Sequence, residues 1–252
     1  MTNRPVAAIT GASSGIGTAI ATQLAADGYN LALCARREQR LAQLANILSS
    51  QHGVEVLTQT VDLRDEAQIL DWFDAISTRF NRLDVLVNNA GLGHKESLSS
   101  GSTEKWRETL DVNVIALCIC TREAINLMRK LGNDSGHIVH ISSMSGHRVP
   151  GSGMYSASKF AVRALTEGLR QELRADQSAI RISSISPGFV ETEFAEKYSG
   201  SAEAAQQVYI QFPLLQPKHI AHAVRYILRH PYYVHVPDLL LPPPPPPTFL
   251  LT

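Results

Sequence analysis

One run near the beginning of the chain decides the fold: Val6-Ala7-Ala8-Ile9-Thr10-Gly11-Ala12-Ser13-Ser14-Gly15-Ile16-Gly17. Its apolar first half predicts a buried strand, and the amphipathic pattern that follows the glycines predicts a helix. Glycine lets a backbone approach a phosphate closely, and a helix N-terminus supplies free N–H donors. Because the spacing is Gly-x-x-x-Gly-x-Gly, the turn by itself fits either a dinucleotide site or a packing turn. As a dinucleotide site it would use Gly11, Ser13, Ser14, Gly15, Ile16 and Gly17.

Short β-rich runs alternate with longer amphipathic runs along the 252 residues, as in repeated βαβ units. Strands are predicted at 6–10, 30–35, 54–60, 85–87, 137–141, 180–185 and 238–241. Helices are predicted at 16–27, 38–50, 66–80, 103–131, 155–175 and 217–229. The pattern predicts a single-domain α/β Rossmann fold over residues 1–241, a doubly wound parallel sheet of about seven strands with helices on both faces. The ligand crevice would lie at the carboxyl ends of the strands.

Two segments break this alternation. Residues 189–215 have weak helical periodicity between proline-containing boundaries, and we expect a mobile substrate flap there rather than a sheet element. Residues 242–252 form a proline-rich tail that begins with the run Pro242–Pro247. Such a run predicts an extended polyproline segment, either solvated or docked on a proline-recognising partner.

The composition argues against several classes of protein. The 23 basic and 23 acidic residues give a formal net charge of zero, so we expect no nucleic-acid and no membrane partner. The N-terminus shows no signal-peptide pattern, which favours a cytoplasmic protein. The 3 cysteines are dispersed, which argues against a disulfide framework. His219 and His222 have helical spacing without a Cys, Asp or Glu at ligand distance, so we expect no metal site.

The residues that follow the second and third predicted strands bear on the choice of cofactor. After the second strand, a carboxylate would bind the adenosine ribose hydroxyls, whereas an arginine accommodates a 2′-phosphate. Arg36 and Arg37 stand there, and guanidinium groups bind phosphate through charge-assisted contacts. We therefore expect NADP(H) rather than NAD. After the third strand, Asp62 and Leu63 could contact the adenine, with the Asp62 carboxylate accepting from its amino group. An aspartate that only caps the next helix would give the same sequence pattern.

Small and amide side chains follow the fourth predicted strand, in the run Asn88-Asn89-Ala90-Gly91. Small residues would let a cofactor lie across the strand end, so Asn89, Ala90 and Gly91 are candidate contacts. The asparagine amides could also bridge neighbouring strands. A simple turn fits the same residues.

Tyr155 and Lys159 stand four residues apart on a predicted helix. Residues with that spacing share one helical face, so the phenol and the ammonium can point into the same cleft. Taken alone, the pair fits a packed tyrosine and a solvated lysine as well. Its meaning depends on the other motifs.

Taken together and in this order, the motifs resemble the short-chain dehydrogenase/reductase superfamily over residues 6–190. The matching runs are Thr10–Gly17, Asn88–Gly91, Asp111-Val112-Asn113-Val114, Ile141-Ser142-Ser143, Tyr155–Lys159 and Pro187-Gly188. The resemblance implies hydride transfer between a nicotinamide cofactor and a carbonyl or alcohol. It implies that the catalytic residues are Asn113, Ser143, Tyr155 and Lys159. Ser142 remains an alternative to Ser143, because adjacent strand residues face opposite ways.

The resemblance also implies a role for each of these residues. Tyr155 would donate the proton, with its pKa lowered from about 10 towards neutrality by Lys159 and the oxidised nicotinamide. Lys159 would also hold the nicotinamide ribose. Ser143 would donate to the substrate oxygen. Asn113 would hold a water through a local helix distortion and link Lys159 to solvent.

The segment after the sixth predicted strand would hold the nicotinamide and part of the substrate. The resemblance implies that the carboxamide is wrapped by Pro187, Gly188, Val190 and Thr192. Besides Ser143 and Tyr155, the substrate wall is expected to include His94, Met144, His147, Phe189 and Phe194. Ordinary loop packing fits those five equally well. An apolar wall would favour a hydrophobic carbonyl.

Four further stretches resemble one subgroup of this superfamily more specifically: 101–103, 113–124, 143–149 and 165–174. They are similar to the subgroup that contains dehydrogenase/reductase family member 11 and insect farnesol-dehydrogenase-like enzymes. That similarity implies NADPH-dependent reduction of ketosteroids, isoprenoids or related carbonyls.

Two rival functions remain open from the sequence. A 3-oxoacyl thioester reductase or 3-hydroxy acid dehydrogenase would use Arg148 or Lys197 as a basic landing site. A catalytically silent NADP-binding regulator would bind the cofactor without turnover. The resemblance also implies that the long helices that contain Asn113 and Tyr155 pair between subunits, so we expect a homodimer or homotetramer.

Overall fold

A computed structural model describes residues 4–149, 153–201, 203 and 214–242. Within them, seven strands form one parallel sheet in the order β3-β2-β1-β4-β5-β6-β7. The strands are β1 Val6–Thr10, β2 Asn30–Ala35, β3 Val56–Thr60, β4 Val85–Asn88, β5 His137–Ile141, β6 Arg181–Pro187 and β7 Asp238–Leu241. This sheet confirms the predicted single Rossmann-type α/β domain.

Helices cover both faces of the sheet. They are α1 Gly15–Ala26, α2 Glu38–His52, α3 Glu66–Phe80, α4 Thr103–Leu110, α5 Ala116–Lys130, α6 Met154–Ala175, α7 Glu193–Ser199 and α8 Pro217–Leu228. One apolar core lies under α1, α2 and α8 and includes Leu24, Leu41 and Ile220. The other lies under α3, α5 and α6 and includes Trp72 and Met128. The sheet is therefore buried on both sides.

The centre of the sheet explains why its strands are apolar without alternation. Ala7 and Ile9 of β1 enter one core, whereas Val6 and Ala8 enter the other. A parallel strand with both faces covered reads as a continuous apolar run. The strand order reverses between β1 and β4, and ligands of such sheets bind at this switch point, beyond the carboxyl ends of the strands. The glycine-rich turn and the Asn88–Gly91 run both lie there.

Several element boundaries differ from those predicted. Strand β3 begins at Val56 rather than at residue 54, because α2 continues to His52 and Gly53 ends it with a positive φ of 62°. Strand β6 extends to Pro187 rather than ending at residue 185. The single helix predicted at 103–131 is interrupted by a π-helical turn, Asp111–Ile115. That turn contains Asn113, so the local helix distortion expected there is confirmed.

The segment predicted as a flap contains a short helix that the sequence pattern did not reveal. Thr192 caps α7 by accepting from the backbone N–H of Phe194 at 3.3 Å, and Gly200 ends it with a positive φ of 81°. Val190 also pairs in parallel with Leu215. Residues 202 and 204–213 of the flap lie outside the described part, as does the proline run from 243 onwards. In the described residues, no helix is long and apolar enough to cross a membrane.

Candidate active site

The glycine-rich turn joins the end of β1 to α1 under tight steric constraints. Gly15 adopts a positive φ of 52°, where a side chain would be strained. A Cβ at Gly17 would lie 2.6 Å from the amide nitrogen of Asn89 and even closer to the carbonyl oxygen of Gly11. The Asn89 amide donates to the backbone oxygens of Thr10 at 2.9 Å and Gly11 at 3.3 Å. Asn89 therefore bridges β4 to this turn, as its amide chemistry predicts.

Two arginines lie at the end of β2, and their surroundings differ. Arg36 is exposed and, among the residues that the structure describes, makes no hydrogen bond or ion pair. Arg37 donates from Nε to the hydroxyl of Ser13 at 3.1 Å and from Nη1 to Glu193 at 2.7 Å. Arg37 thus contacts a side chain of the glycine-rich turn, and Arg36 precedes it in the chain. This is where the sequence places a 2′-phosphate.

The end of β3 carries an ion pair. Arg64 donates to the Asp62 carboxylate, with the shortest contact at 2.5 Å, and this hydrogen bond lowers the pKa of Asp62. The N-cap of α3 is Asp65, whose side chain accepts from the N–H of Ala67. Asp62 is therefore not the N-cap of α3, and of its two predicted roles the contact with the adenine stays a prediction. Leu63, beside it, is buried.

Tyr155 is enclosed by three neighbouring side chains. Its phenol lies beside the hydroxyl of Ser143, and its ring lies 5.2 Å from the Phe194 ring and 5.8 Å from the Tyr198 ring, centroid to centroid. Burial raises the pKa of Tyr155 to about 12, although the Ser143 hydroxyl acts in the opposite direction. The phenol therefore keeps its proton through the neutral range.

Lys159 is buried one helical turn from Tyr155. Its ammonium donates to the carbonyl oxygen of Ile141 at 3.0 Å and lies 5.8 Å from the centre of the Tyr155 ring. Burial lowers the pKa of Lys159 to about 8. Neither pKa shift contains a contribution from the other group, so the lowering of the Tyr155 pKa by Lys159 together with the oxidised nicotinamide stays a prediction.

Ser142 and Ser143 lie on opposite sides of the strand end. Ser143 contacts Tyr155 and accepts from the backbone N–H of Ser145 at 3.1 Å. The hydroxyl of Ser142 is buried, and among the described residues it has no hydrogen-bond partner. A Cβ added at Gly146 would lie 3.3 Å from that hydroxyl. The geometry therefore brings Ser143, rather than Ser142, to the tyrosine.

Asn113 connects the π-helical turn to two other elements. Its side-chain oxygen accepts from the N–H of Leu92 at 2.9 Å, and its amide nitrogen donates to the carbonyl oxygen of Leu92 at 2.7 Å. The same amide donates to the hydroxyl of Ser158 at 2.9 Å, and Ser158 donates to the carbonyl oxygen of Tyr155. Asn113 therefore fixes the loop after β4 against the helix that carries Tyr155. Its role in a water relay remains a prediction.

A buried histidine behind Lys159 is neutral. His140, next to Ile141 on β5, contacts the hydroxyl of Thr166 through Nδ1 at 2.9 Å and that of Thr121 through Nε2 at 3.2 Å. Burial, with the charge of Lys159 acting in the same direction, lowers the pKa of His140 to about 3. A neutral imidazole leaves Lys159 as the local positive charge on this side of the site.

The five residues predicted for the substrate wall have different neighbours in the structure. His94 pairs with Glu108 at 2.8 Å, and His147 contacts the hydroxyl of Ser186 at 3.0 Å. Met144 lies in the 3-10 turn after β5, and Phe189 is exposed. Of the five predicted wall residues, only Phe194 is shown in ring contact with Tyr155 within the described part of the chain.

Sequence reasoning missed Gly93, Ser158, Glu193 and Tyr198. A Cβ at Gly93 would lie 2.8 Å from the Tyr155 ring, so the loop needs glycine there. Tyr198 stands four residues after Phe194, and this spacing on one helical face could have revealed it. A threonine at the start and a glycine at the end of a segment are helix-boundary signals, so Thr192 and Gly200 could have predicted the helix α7, which carries the rings of Phe194 and Tyr198.

The donors at these strand ends fit a dinucleotide. Ser13, Arg36 and Arg37 stand at one end, and the backbone turn with the α1 N-terminus stands in the middle. At the other end, a Cβ at Gly91 would lie 3.6 Å from the Lys159 ammonium, so glycine leaves open the space beside it.

Among the described residues, no group of three His, Cys, Asp or Glu could hold a metal ion. Fold and site define a nicotinamide-type oxidoreductase.

Comparison with known proteins assigns the family. The sequence pattern of the family described as short chain dehydrogenase matches residues 5–203, and the chain belongs to this family. Members of the family use a nicotinamide cofactor. Dehydrogenase/reductase SDR family member 11 of Bos taurus is 44% identical over 93% of this chain and 94% of its own length. Farnesol dehydrogenase of Aedes aegypti is 40% identical over 93% and 94%.

A solved structure has the same architecture. The alcohol dehydrogenase of the archaeon Thermococcus sibiricus, complexed with 5-hydroxy-NADP, superposes with a TM-score of 0.83. It is 33% identical, and the match covers 95% of this chain and 96% of that one. The resemblance inferred from the motifs, including the narrower subgroup, is thereby confirmed.

Proposed function

We propose that this chain is an NADP-dependent oxidoreductase that transfers a hydride between NADP(H) and a carbonyl or alcohol group of a hydrophobic substrate. The observation that carries the proposal is the position of Tyr155, beside Ser143 and with the buried ammonium of Lys159 5.8 Å from the centre of its ring. This pair lies at the carboxyl ends of the strands, on the same edge of the sheet as the glycine-rich turn. Ketosteroids and isoprenoids are the substrate classes that we favour.

Each of the four residues has a defined task in this proposal. The nicotinamide, when bound, supplies or accepts the hydride. Tyr155 protonates the substrate oxygen during reduction, and its high pKa keeps the proton available at neutral pH. Ser143 hydrogen-bonds the same oxygen as negative charge develops on it. Lys159 stabilises the phenolate that reduction leaves, and Asn113 holds the Tyr155 helix in place.

The preference for NADP(H) rests on the cations after β2. Arg36 is exposed and Arg37 contacts Ser13, and the two positions directly after the strand hold arginines rather than a carboxylate. A 2′-phosphate could therefore be bound by guanidinium groups through charge-assisted hydrogen bonds. The NADP derivative of the archaeal alcohol dehydrogenase supports this assignment. At the other end of the cofactor, we propose contacts with Pro187, Gly188, Val190 and Thr192.

A hydrophobic substrate is favoured by the aromatic side chains around Tyr155. Phe194 and Tyr198 stack with ring centroids 5.8 Å apart and face the catalytic ring. Flat apolar molecules would pack against such rings. The name of the Aedes aegypti relative, farnesol dehydrogenase, supports an apolar alcohol or aldehyde.

Self-association is part of the proposal. Ile115, Phe160 and Leu165 are exposed apolar side chains on the helical segments that carry Asn113 and Tyr155. Apolar surface on paired helices is typical of subunit interfaces. We expect a homodimer or homotetramer, and light scattering during gel filtration at micromolar concentration measures it. A monomer alone would contradict this part of the proposal.

A substrate panel tests the function, with NADPH and NADH assayed in parallel. The panel contains ketosteroids, isoprenoid aldehydes, small diketones and 3-hydroxy acids. We expect the hydrophobic carbonyls to be reduced with NADPH at a kcat/KM at least about tenfold above that with NADH, the effect of one charge-assisted phosphate contact. Arg36→Ala should remove most of this preference and leave the NADH values unchanged.

Arg79→Ala is the matched control, because this exposed arginine lies in the last turn of α3, at the other end of the sheet. It should retain the preference for NADPH. Equal use of both cofactors by the wild-type protein would contradict the NADP assignment. Activity confined to 3-hydroxy acids would contradict the substrate class.

A further inference from the structure

Glu193 lies next in sequence to the proposed nicotinamide-side segment, and its side chain contacts arginines on the proposed adenosine side. It is the first residue of α7, directly after the nicotinamide-side segment that ends at Thr192. Its carboxylate nevertheless reaches the adenosine side, where it accepts from Arg40 at 2.6 Å and from Arg37 at 2.7 Å. Hydrogen bonds from these two arginines, Arg40 first, lower the pKa of Glu193 to about 2. The carboxylate is therefore charged at neutral pH.

The position held by this carboxylate has the chemistry of a phosphate site. Arg37 also donates to Ser13, from Nε to its hydroxyl at 3.1 Å and from Nη2 to its carbonyl oxygen at 3.4 Å. The Nη1 of Arg37 donates to one oxygen of the Glu193 carboxylate, and the guanidinium of Arg40 donates to the other oxygen. Two guanidinium groups converging on one anion beside a serine of the glycine-rich turn are the donors that a phosphate monoester prefers.

We propose that Glu193 competes with the 2′-phosphate of the cofactor for Arg37 and Arg40, which makes it a determinant of cofactor preference. The inference rests on the proposed NADP(H) site. A phosphate that takes a bidentate contact from Arg37 must share or displace the Nη1 bond to Glu193, because the other edge of this guanidinium is engaged by Ser13. A cofactor without the 2′-phosphate leaves the Glu193 contacts intact.

The competition has a consequence for the catalytic tyrosine. Glu193 precedes Phe194, and α7 places both Phe194 and Tyr198 against the Tyr155 ring. The ion pairs of Glu193 hold the first turn of α7 to α2, since Arg40 belongs to α2 and Arg37 stands directly before its first residue. Release of Glu193 by a 2′-phosphate would therefore loosen the helix that covers Tyr155. A 2′-phosphorylated cofactor would favour substrate entry in a way that NAD(H) does not.

The test compares the full-length wild-type protein with Glu193→Gln. Dissociation constants for NADPH and NADH are measured by titration of each protein. We expect Glu193→Gln to bind NADPH about fivefold more tightly, the size expected for two partly exposed ion pairs, with the affinity for NADH unchanged. Glu196→Gln is the control, because it removes the same charge from an exposed position of α7. It should change neither affinity.

Amide hydrogen exchange of residues 193–199 gives a second, independent readout. In the wild-type protein, exchange should be faster with saturating NADPH than with saturating NADH, and in Glu193→Gln this difference should disappear. Unchanged or weaker NADPH binding by Glu193→Gln, while wild-type binding depends on Arg36, would overturn this inference alone. If the wild-type protein binds NADPH no better than NADH and Arg36→Ala has no effect, the proposed cofactor assignment fails as well.

Discussion

Tyr155→Phe is expected to lower kcat/KM for carbonyl reduction by about 10³-fold, within the range that a positioned proton donor contributes. The substitution removes the hydroxyl that contacts Ser143 and leaves the ring between Phe194 and Tyr198. Packing around the ring is preserved, so the protein should fold normally. Steady-state reduction of the best substrate in the panel measures the loss, and titration shows whether NADPH still binds.

The control for this prediction is Tyr226→Phe. Tyr226 lies on α8 and is exposed, so removal of its hydroxyl should leave the kinetics unchanged. If Tyr155→Phe retained a tenth or more of the wild-type kcat/KM while binding NADPH, Tyr155 would not be the proton donor. A loss of NADPH binding would instead point to a structural role for the phenol.

Gly17→Ala should destabilise the protein by about 3 kcal/mol and abolish measurable cofactor binding. A Cβ at this position would collide with the carbonyl oxygen of Gly11 and lie 2.6 Å from the Asn89 amide nitrogen. Because the obstructing oxygen belongs to the backbone, the turn itself must move. The hydrogen bonds of Asn89 to Thr10 and Gly11 would then be lost. Denaturant unfolding and NADPH titration measure the two effects.

Gly168→Ala gives a matched comparison, since Gly168 also lies inside a helix but has open space where a Cβ would stand. Alanine is the better helix former by about 1 kcal/mol, so this variant should be as stable as the wild type or more so. Equal stabilities of the two alanine variants would show that Gly17 does not have the tight contacts described here.

The fold could be predicted because its signals are local and repeated. The strands 6–10, 30–35 and 137–141 have the predicted bounds, since each is a short apolar run between charged or glycine-rich segments. The predicted strand boundaries were wrong where contacts with another part of the chain determine where a strand ends. Strand β6 extends to Pro187 because it continues to pair with β7, and nothing in its own sequence indicates that partner.

The candidate site was predictable only in part. The motifs identified the residues that converge at the strand ends, and Ser143 and Tyr155 do meet there. Sequence could not show that Glu193 would reach Arg37 across 156 residues of chain, because that contact depends on where α7 packs. It also could not give the pKa of Tyr155, whose upward shift arises from enclosure by side chains distant in sequence.

The most direct test of the account is one measurement of NADPH consumption in a single turnover. Enzyme with bound NADPH is mixed rapidly with a hydrophobic ketone, for the wild-type protein and for Tyr155→Phe, and the near-ultraviolet absorbance of the reduced nicotinamide is followed. We predict that the wild-type protein oxidises its bound NADPH and forms one equivalent of alcohol, while Tyr155→Phe reacts about 10³-fold more slowly. Bound NADPH that stays reduced with every carbonyl, or equal rates for the two proteins, would contradict the account.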